Sequence, residues 1–458
     1  MTNERKIFYG KAISISWPIV LQNLLEAAVS SSDVLMLNFV GSDAISAANL
    51  AGQATTILFM FYFGLCAGTT MLCAQYYGKK DYKAIHAVEG IALRFSIIVS
   101  AIFCVISVFF PRYFMLIYTS DETIIDLGIQ YLRIVGWGYL FWSVTEVYKA
   151  VLKSVERVKI CSAVNMTTFV ANIFFNAVFI FGLFGAPKMG VAGVASGTTI
   201  SRFLELVLCI IISVKSKDVK MKLSFMFIRN KLLMKDFFHL SLPALLNDVT
   251  WGLAFSMYSA ILGHAGGSDV TSANAIVQTV RNFGTTLCYG VGSATGIILG
   301  NEMGEGKLDT AMEHAKCMMR LTVISGAIGG AIVLAITPLT GLFNLTETAA
   351  HELKWMLLIN TYYIMGTAVN TTLITGVFRS GGDSRFGFIC DLIDMWGYAV
   401  PVGALAAFVF KLPVLVVYFL LCTDEFVKWP WVLKHYRSGK WIRDITRENV
   451  SAESEGQE

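Results

Sequence analysis

The sequence predicts an all-α polytopic membrane protein with twelve transmembrane helices in two six-helix bundles related by pseudo-twofold symmetry. Three observations carry this. Hydrophobic residues make up 55% of the chain and charged residues only 15%, against roughly 25% charged in a soluble domain. The charges gather in short segments between apolar runs of about 20 residues, the length that crosses the hydrocarbon layer. Finally, the chain repeats itself. Gly41–Ser42–Asp43, followed by Ser46, Ala47, Asn49 and Gln53, returns about 226 residues later as Gly267–Ser268–Asp269, followed by Ser272, Ala273, Asn274 and Gln278. Pro18 and Pro243 precede the two runs, and Lys153–Ser154 and Arg379–Ser380 recur at the same spacing.

The spans of the first copy fall near 13–37, 45–75, 90–112, 128–152, 160–182 and 190–212. Those of the second fall near 239–262, 271–299, 318–342, 354–378, 386–410 and 412–426. In a medium without water every backbone polar group must be paired within the protein, which leaves helices or a closed barrel. Barrel strands would be about ten residues long and alternate in polarity; these runs do neither. A soluble α/β protein would need polar faces, and Ile97–Phe110 has almost none. The first span opens on Pro18 and ends at an outer Gly-rich turn. The second is rich in Gly and Ala, and Gly64 and Gly68 let helices approach closely, as do Gly290, Gly292 and Gly296 in the second copy. Each second span closes on a Gly-Lys-x-Asp loop, Gly78–Asp81 and Gly306–Asp309, with His86–Ala87 and His314–Ala315 just beyond.

An even number of spans per copy makes the repeats parallel, with an axis along the membrane normal, and such doubled chains are a common build for transporters. The expected division is a lobe over 1–212, a linker over 213–235, a second lobe over 236–426 and a tail over 427–458, with two rigid lobes able to rock on the linker around a cleft. Part of the linker is expected to form an amphipathic helix through Leu223, Phe227 and Leu232.

Basic residues set orientation. Lys79, Lys80 and Lys83, then Lys153, Arg157 and Lys159, the segment Lys215–Lys235, Arg379 and Arg385, and the tail all fall on one side of a twelve-span chain. The opposite side holds Asp43, Asp121, Glu122, Glu347 and Glu352. Both termini are therefore expected in the cytoplasm and the protein in the plasma (cytoplasmic) membrane, in contact with membrane lipid. The formal charge of +4 follows from this asymmetry and implies no nucleic-acid partner. No cleavable signal is expected, because the first apolar run continues toward Phe39. Nine cysteines lie in or beside spans without a C-x-x-C pair and read as apolar packing residues. No phosphate-binding G-x-x-x-x-G-K-S/T loop is present, and no filter sequence suggests a channel. Neither an enzyme nor a cofactor is expected; an ion gradient should supply the energy.

Charged and amide residues inside spans are costly and mark candidate sites. Gln22, Glu26 and Asp33 lie along one face of the first span, with Ser30 extending the stripe. An acid there can exchange a proton or bind Na+ with neighbouring oxygens. Asn165, Asn172 and Asn176 lie on the fifth span, the last two one turn apart. Asp248 sits early in the seventh span beside Asn247. Gln22 matches Asn247 in the repeat but Asp33 matches Tyr258, so the lobes are not chemically equivalent. Asp391 and Asp394 are expected to cap their helix or pair with Arg385, Arg202 and Glu205 to pair with each other, and Arg94, Arg133, Glu146 and Lys149 to snorkel from span ends. Aromatics with few fixed positive charges are expected to line a substrate surface for organic cations. Trp251 and Tyr258, which share a face with Asp248, lead that set, with Tyr139 and Tyr289 also available.

The ordered set resembles the multidrug and toxic compound extrusion (MATE) family over nearly the whole length. It rests on the Pro18 to Gly41 span with Asp33 near its end, Gln75–Gly78, Asn172 to Gly182, Gly190–Ala195, Pro243 through Trp251, Gly263 to Gly267 and Phe378–Asp383. The tail Arg437–Trp441 is similar to those of bacterial members, DinF-like and Firmicutes types above all. The resemblance implies an antiporter that exports amphipathic or cationic organic compounds as H+ or Na+ enters, acting as a monomer. It aligns Asp33 with an acidic coupling residue of the family, Asn172 with an asparagine of that site, and Asp248 with a position where several members carry glutamate. Asp33 and Asn172 would ligate the metal if the ion is Na+. Asn176 stands where many members carry aspartate, which favours H+. The region Gly366–Asn370 offers no carboxylate for a sodium site in the second lobe. A flippase for a lipid-linked oligosaccharide shares the doubled plan but would want more interior basic residues.

Reporter tags at either end and within the segment Lys215–Lys235 should all read cytoplasmic. An outward C-terminus would rule out twelve spans.

Overall fold

A computed structural model describes residues 3–37, 39–227, 230–338 and 345–447. Among these, twelve long helices account for nearly the whole chain. They are α1 (Asn3–Leu37), α2 (Ser42–Gly78), α3 (Tyr82–Phe109), α4 (Glu122–Ser154), α5 (Val158–Phe181) and α6 (Val191–Lys215). A single run, Lys231–Gly304, breaks at Gly267 (φ 67°, ψ −153°) into α7 (231–266) and α8 (268–304). Next come α9 (Leu308–Ile336), α10 (Glu347–Asn370, extended by a π-helical stretch Thr371–Phe378) and α11 (Ser384–Val409). The last helix, α12, is broken into Val414–Leu421, Asp424–Val427 and Trp429–Ser438. Side chains cap several starts. Asp81 accepts from the Ala84 amide (3.0 Å), Asp121 from Thr123 (2.9 Å) and Ile124 (3.3 Å), and Thr346 from Ala349 (3.1 Å).

Among the described residues seven helical runs are long and apolar enough to span a membrane on composition alone: α2, α3, α5, α6, the continuous run 231–304, α9 and α11. Of the remaining helices, α4 carries the buried Lys149 and α12 the buried Asp424, Glu425 and Lys428, so function and span prediction pull against each other there.

The repeat is visible in the backbone of the inner turns. Lys80 and Glu156 (both φ 61°) take the left-handed conformation, and so do Gly306 and Gly382 (both φ 78°) at the matching places in the second copy. In each turn the next residue's amide closes back on the preceding helix: Asp81 to Tyr76, Arg157 to Leu152, Lys307 to Glu302 and Asp383 to Phe378. This is one helix-stop motif used four times.

The chain packs as two compact units, and both first helices of the repeats are shared between them. One unit is Met1–Val20 with Leu242–Thr446; the other is Leu21–Ser241 with Arg447–Glu458. The boundaries therefore differ from the expected 1–212 and 236–426. Glycine explains the division. In the first unit a Cβ on Gly290 would meet Val20 Cγ2 at 2.3 Å, and in the second a Cβ on Gly68 would meet Ser241 Oγ at 1.8 Å. Small residues on α8 and α2 thus seat the starts of α1 and α7.

Two expectations about the joints change. The linker forms a short 3-10 turn, Leu223–Phe227, before α7 begins at Lys231, in place of an amphipathic helix. It is laid on α3: His86 stacks on Phe225 (4.5 Å between ring centroids), Arg94 donates from Nε to the Met226 carbonyl (2.9 Å), and Gly90 leaves room for the Phe225 carbonyl. Arg94 therefore binds the linker and does not snorkel. The twelfth span runs past 426, and the following segment is part of the first unit, with Trp441 fully buried and its carbonyl against Gly381.

A Cβ on Gly90 would lie 2.0 Å from the Phe225 carbonyl oxygen, whereas one on Gly10 would meet nothing within 4 Å. Gly90→Val should therefore cost about 1–3 kcal/mol of stability and Gly10→Val none, measured as thermal unfolding midpoints of the purified protein.

Candidate ion-coupling site and buried charge networks

The polar stripe of α1 meets α5 and α6 within one unit. Asn176 is fully buried, and its amide nitrogen donates both to Asp33 Oδ1 (2.6 Å) and to Asn172 Oδ1 (3.2 Å). Asn172 in turn donates to Thr198 Oγ1 (3.3 Å). Gly197 makes this possible, since a Cβ there would lie 2.1 Å from Asn176 Oδ1. That amide oxygen is buried and accepts no hydrogen bond. Asp33, Asn172 and Asn176 therefore lie together, as the family resemblance implies, and Thr198 joins them. Its helix, α6, had offered no reason to single out a threonine. The arrangement sets one carboxylate against an amide N–H, with the Asn176 oxygen turned toward Gly197 and the Asn172 oxygen accepting from Asn176, and such a carboxylate can take up and release a proton. Ser30 lies outside the described side chains.

About two to three turns back along α1, Gln22 is buried and donates weakly to Glu26 (3.5 Å). Glu26 lies in the field of a larger network. Lys149, which is 2% exposed, pairs with Glu205 (2.6 Å) and Glu146 (2.7 Å) and donates to Asn165 Oδ1 (3.2 Å). Arg202 pairs with the other Glu205 oxygen (3.1 Å), and its guanidinium lies 4.3 Å above the Trp142 ring, whose Nε1 donates to Glu146 (2.8 Å). Arg202–Glu205 is thus the expected pair, extended into a network. Lys149 and Glu146 do not snorkel: both point inward, because α4, α5 and α6 supply their partners.

The other unit holds a second network. Asp248 accepts from Arg379 (3.1 Å), which also donates to Asn247 Oδ1 (3.0 Å). Asn247 donates to Asp391 (2.7 Å). Asp391 takes its cation from Lys428 (3.0 Å), not from Arg385. Lys428 also faces Glu425 (3.2 Å) and Asp394 (3.7 Å). Asn370, at the end of the stretch that offered no carboxylate, donates to Glu425 Oε2 (2.5 Å); α12 supplies the acid that α10 lacks. The sequence reading placed Asp424, Glu425 and Lys428 at a span end and in a tail. The signal it passed over was T-D-E-F-V-K, charge directly continuing an apolar run without a turn residue.

The aromatic residues distribute differently from expectation. Tyr258 is buried and donates to Asp424 (3.0 Å), so its hydroxyl belongs to the second network and is not directed at Asp248. Trp251 packs on Phe255 (4.4 Å) and Phe255 on Tyr258 (5.4 Å). Tyr139 is buried in the core of its own unit, its hydroxyl 2.9 Å from Thr55 Oγ1. Tyr289 is half-buried on α8. Two of the cation-attracting ring systems already carry a cation: Arg202 over Trp142, and Arg281, 4.3 Å above Phe255 and 5.8 Å from Tyr363. Neither guanidinium lies over Trp251, Tyr258, Tyr139 or Tyr289 among these contacts.

Removing Lys149 leaves the buried Glu205 to Arg202 alone and takes the ammonium from the half-buried Glu146. Lys149→Met should destabilise the protein by about 3–5 kcal/mol, and adding Glu205→Gln should recover part of that loss. Unfolding midpoints of the single and double variants check both.

The sequence profile of the MatE family matches residues 18–178 and 243–405, once in each repeat. Among curated proteins the chain is 25% identical over 438 residues to the uncharacterized transporter YisQ of Bacillus subtilis, covering 94% of each chain. It is 21% identical to the probable multidrug resistance protein NorM of Thermotoga maritima, covering 96% of this chain and 94% of that one. A solved structure described as the outward-facing conformation of a multidrug resistance MATE family transporter of the MOP superfamily superposes with a TM-score of 0.85 at 16% identity, over 94% of this chain and 96% of that chain. That likeness shows a shared twelve-helix fold. Matched once in each repeat, over more than half of its length, the chain belongs to the MatE family, the multidrug and toxic compound extrusion transporters.

Proposed function

We propose that this protein is a secondary active antiporter in the cytoplasmic membrane, with both termini inside, that exports amphipathic or cationic organic compounds in exchange for H+ or Na+ by alternating access. The convergence of Asp33, Asn176, Asn172 and Thr198 carries the reading. Asp33 supplies the only carboxylate among these four residues, so one proton changes the charge of the group from −1 to 0. An amide at Asn176 donates to the carboxylate and holds it in place without competing for the proton. This favours H+ over Na+, since a sodium ion gains more from a second carboxylate. The relatives named for multidrug resistance support a broad small-molecule substrate class. Flat aromatic walls tolerate many shapes and attract cations, and the guanidinium groups over Trp142 and Phe255 would have to be displaced or shared by a cationic substrate.

Inverted membrane vesicles should accumulate a dye such as ethidium when a pH gradient is imposed, with a sodium gradient having little effect. Asp33→Asn should abolish gradient-driven uptake while the protein stays folded, because an amide cannot cycle a proton. Asn172→Ala should reduce uptake several-fold. Wild-type rates in Asp33→Asn would remove the site from the coupling step, and substrate affinity rising with Na+ at fixed pH would overturn the choice of proton.

A further inference from the structure

The carboxylates around Lys428 outnumber the cations that face them. Asp391, Asp394, Asp424 and Glu425 are all buried, none more than 4% exposed, and a single ammonium, itself 2% exposed, stands among them. The charged groups acting on Asp394 are Lys428, Asp424, Glu425 and Asp391. Tyr258 faces the group from α7, and Arg379 is engaged with Asp248 one hydrogen-bonded step away through Asn247. Four ionised carboxylates and one ammonium would leave three uncompensated negative charges in a site closed to water. Each such charge is costly to bury and is met either by hydrogen-bond donors or by neutralisation of the carboxyl.

The hydrogen bonds say where the proton belongs. Asp391 accepts from Lys428 and Asn247. Asp424 accepts from Tyr258 (3.0 Å) and from the Glu425 amide (2.7 Å). Glu425 accepts from Asn370 (2.5 Å) and Thr367 (3.2 Å) and pairs with Lys428. Each of these three has donors fitted to an anion. Neither oxygen of Asp394 accepts a hydrogen bond, although its side chain is fully buried and points toward Lys428, 3.7 Å away. The backbone is irregular at the same place. Asp394 lies in a π-helical stretch, Leu392–Ala399, and α12 is interrupted between Leu421 and Asp424. Such π-turns recur at functional sites.

We propose that the cluster around Lys428 is a proton-binding site, separate from the Asp33 group, in which Asp394 is the residue that takes up and releases the proton. The ammonium serves as a built-in counter-cation, so the site binds H+ at one carboxyl and does not take Na+. The inference rests on the geometry of this cluster and stands whether or not the Asp33 group couples transport.

The test is infrared difference spectroscopy on the full-length protein in lipid nanodiscs, in the Asp33→Asn background, across a pH jump. A carboxylic-acid C=O band should appear on acidification, shift when aspartate is labelled with carbon-13 at its carboxyl, and vanish in Asp394→Asn. Sodium added at constant pH should leave the band unchanged. A band that is absent, that fails to shift on labelling or that survives in Asp394→Asn overturns the proposal. So does a band removed by Na+, which would mean that the cluster takes a metal cation. The labelling arm needs no substitution in the cluster, so the outcome does not depend on Asp394→Asn folding.

Discussion

A cation buried where water cannot follow must be met by the protein itself, and two lysines organise this molecule by that requirement. Lys149 on α4 is reached by Glu205 on α6 and Asn165 on α5. Lys428 on α12 is reached by Asp391 on α11, and Glu425 beside it is held by Asn370 on α10. Each ammonium thus anchors a set of helices at defined rotations. Apolar packing against lipid-like neighbours would specify those rotations poorly, because hydrocarbon inside the bundle is little better than hydrocarbon outside. Breaking one partner costs far more than the pair's net contribution, which makes the networks effective at excluding alternative packings.

The repeat shows how the two networks relate. The offset that matches Lys153 to Arg379 also matches Arg202 to Lys428 and Asn165 to Asp391. The two copies thus place a base and a polar residue at matching positions, but their partners differ: Lys428 bonds Asp391, whereas Asn165 accepts from Lys149 and Arg202 pairs with Glu205. The first copy adds Lys149 and brings its charges close to balance; the second adds carboxylates without adding bases. The chemical difference between the units lies in these few positions, within a shared backbone whose inner turns still superpose in conformation residue for residue.

Much of this was legible in the sequence. The helices follow from run length and from the impossibility of unpaired backbone in lipid; spacing sets Asp33 on one helix face and Asn172 with Asn176 on another, and only the family resemblance implies that they share a site. What escaped were features that depend on phase and on the third dimension. The π-helical stretches of α10 and α11 rotate every later side chain on those helices, and no local pattern announces them. Lys149 and Lys428 sit near span ends, where a long basic side chain usually reaches for water; whether it turns inward depends on acids from other helices. Tyr258 was assigned to Asp248 from its position on one helix, but its partner comes from a residue 166 positions away.

The docking of the linker on α3 bears on how such a protein could be assembled from pieces. A half-length chain ending at the sixth span would expose the notch at Gly90, leave the Arg94 guanidinium without its carbonyl and strip His86 of the ring that covers it. The natural cut lies after Phe227, so that the first repeat carries its own cover. Duplication of a six-helix gene therefore had to supply more than a tether: the joining segment became a structural element of the copy that precedes it.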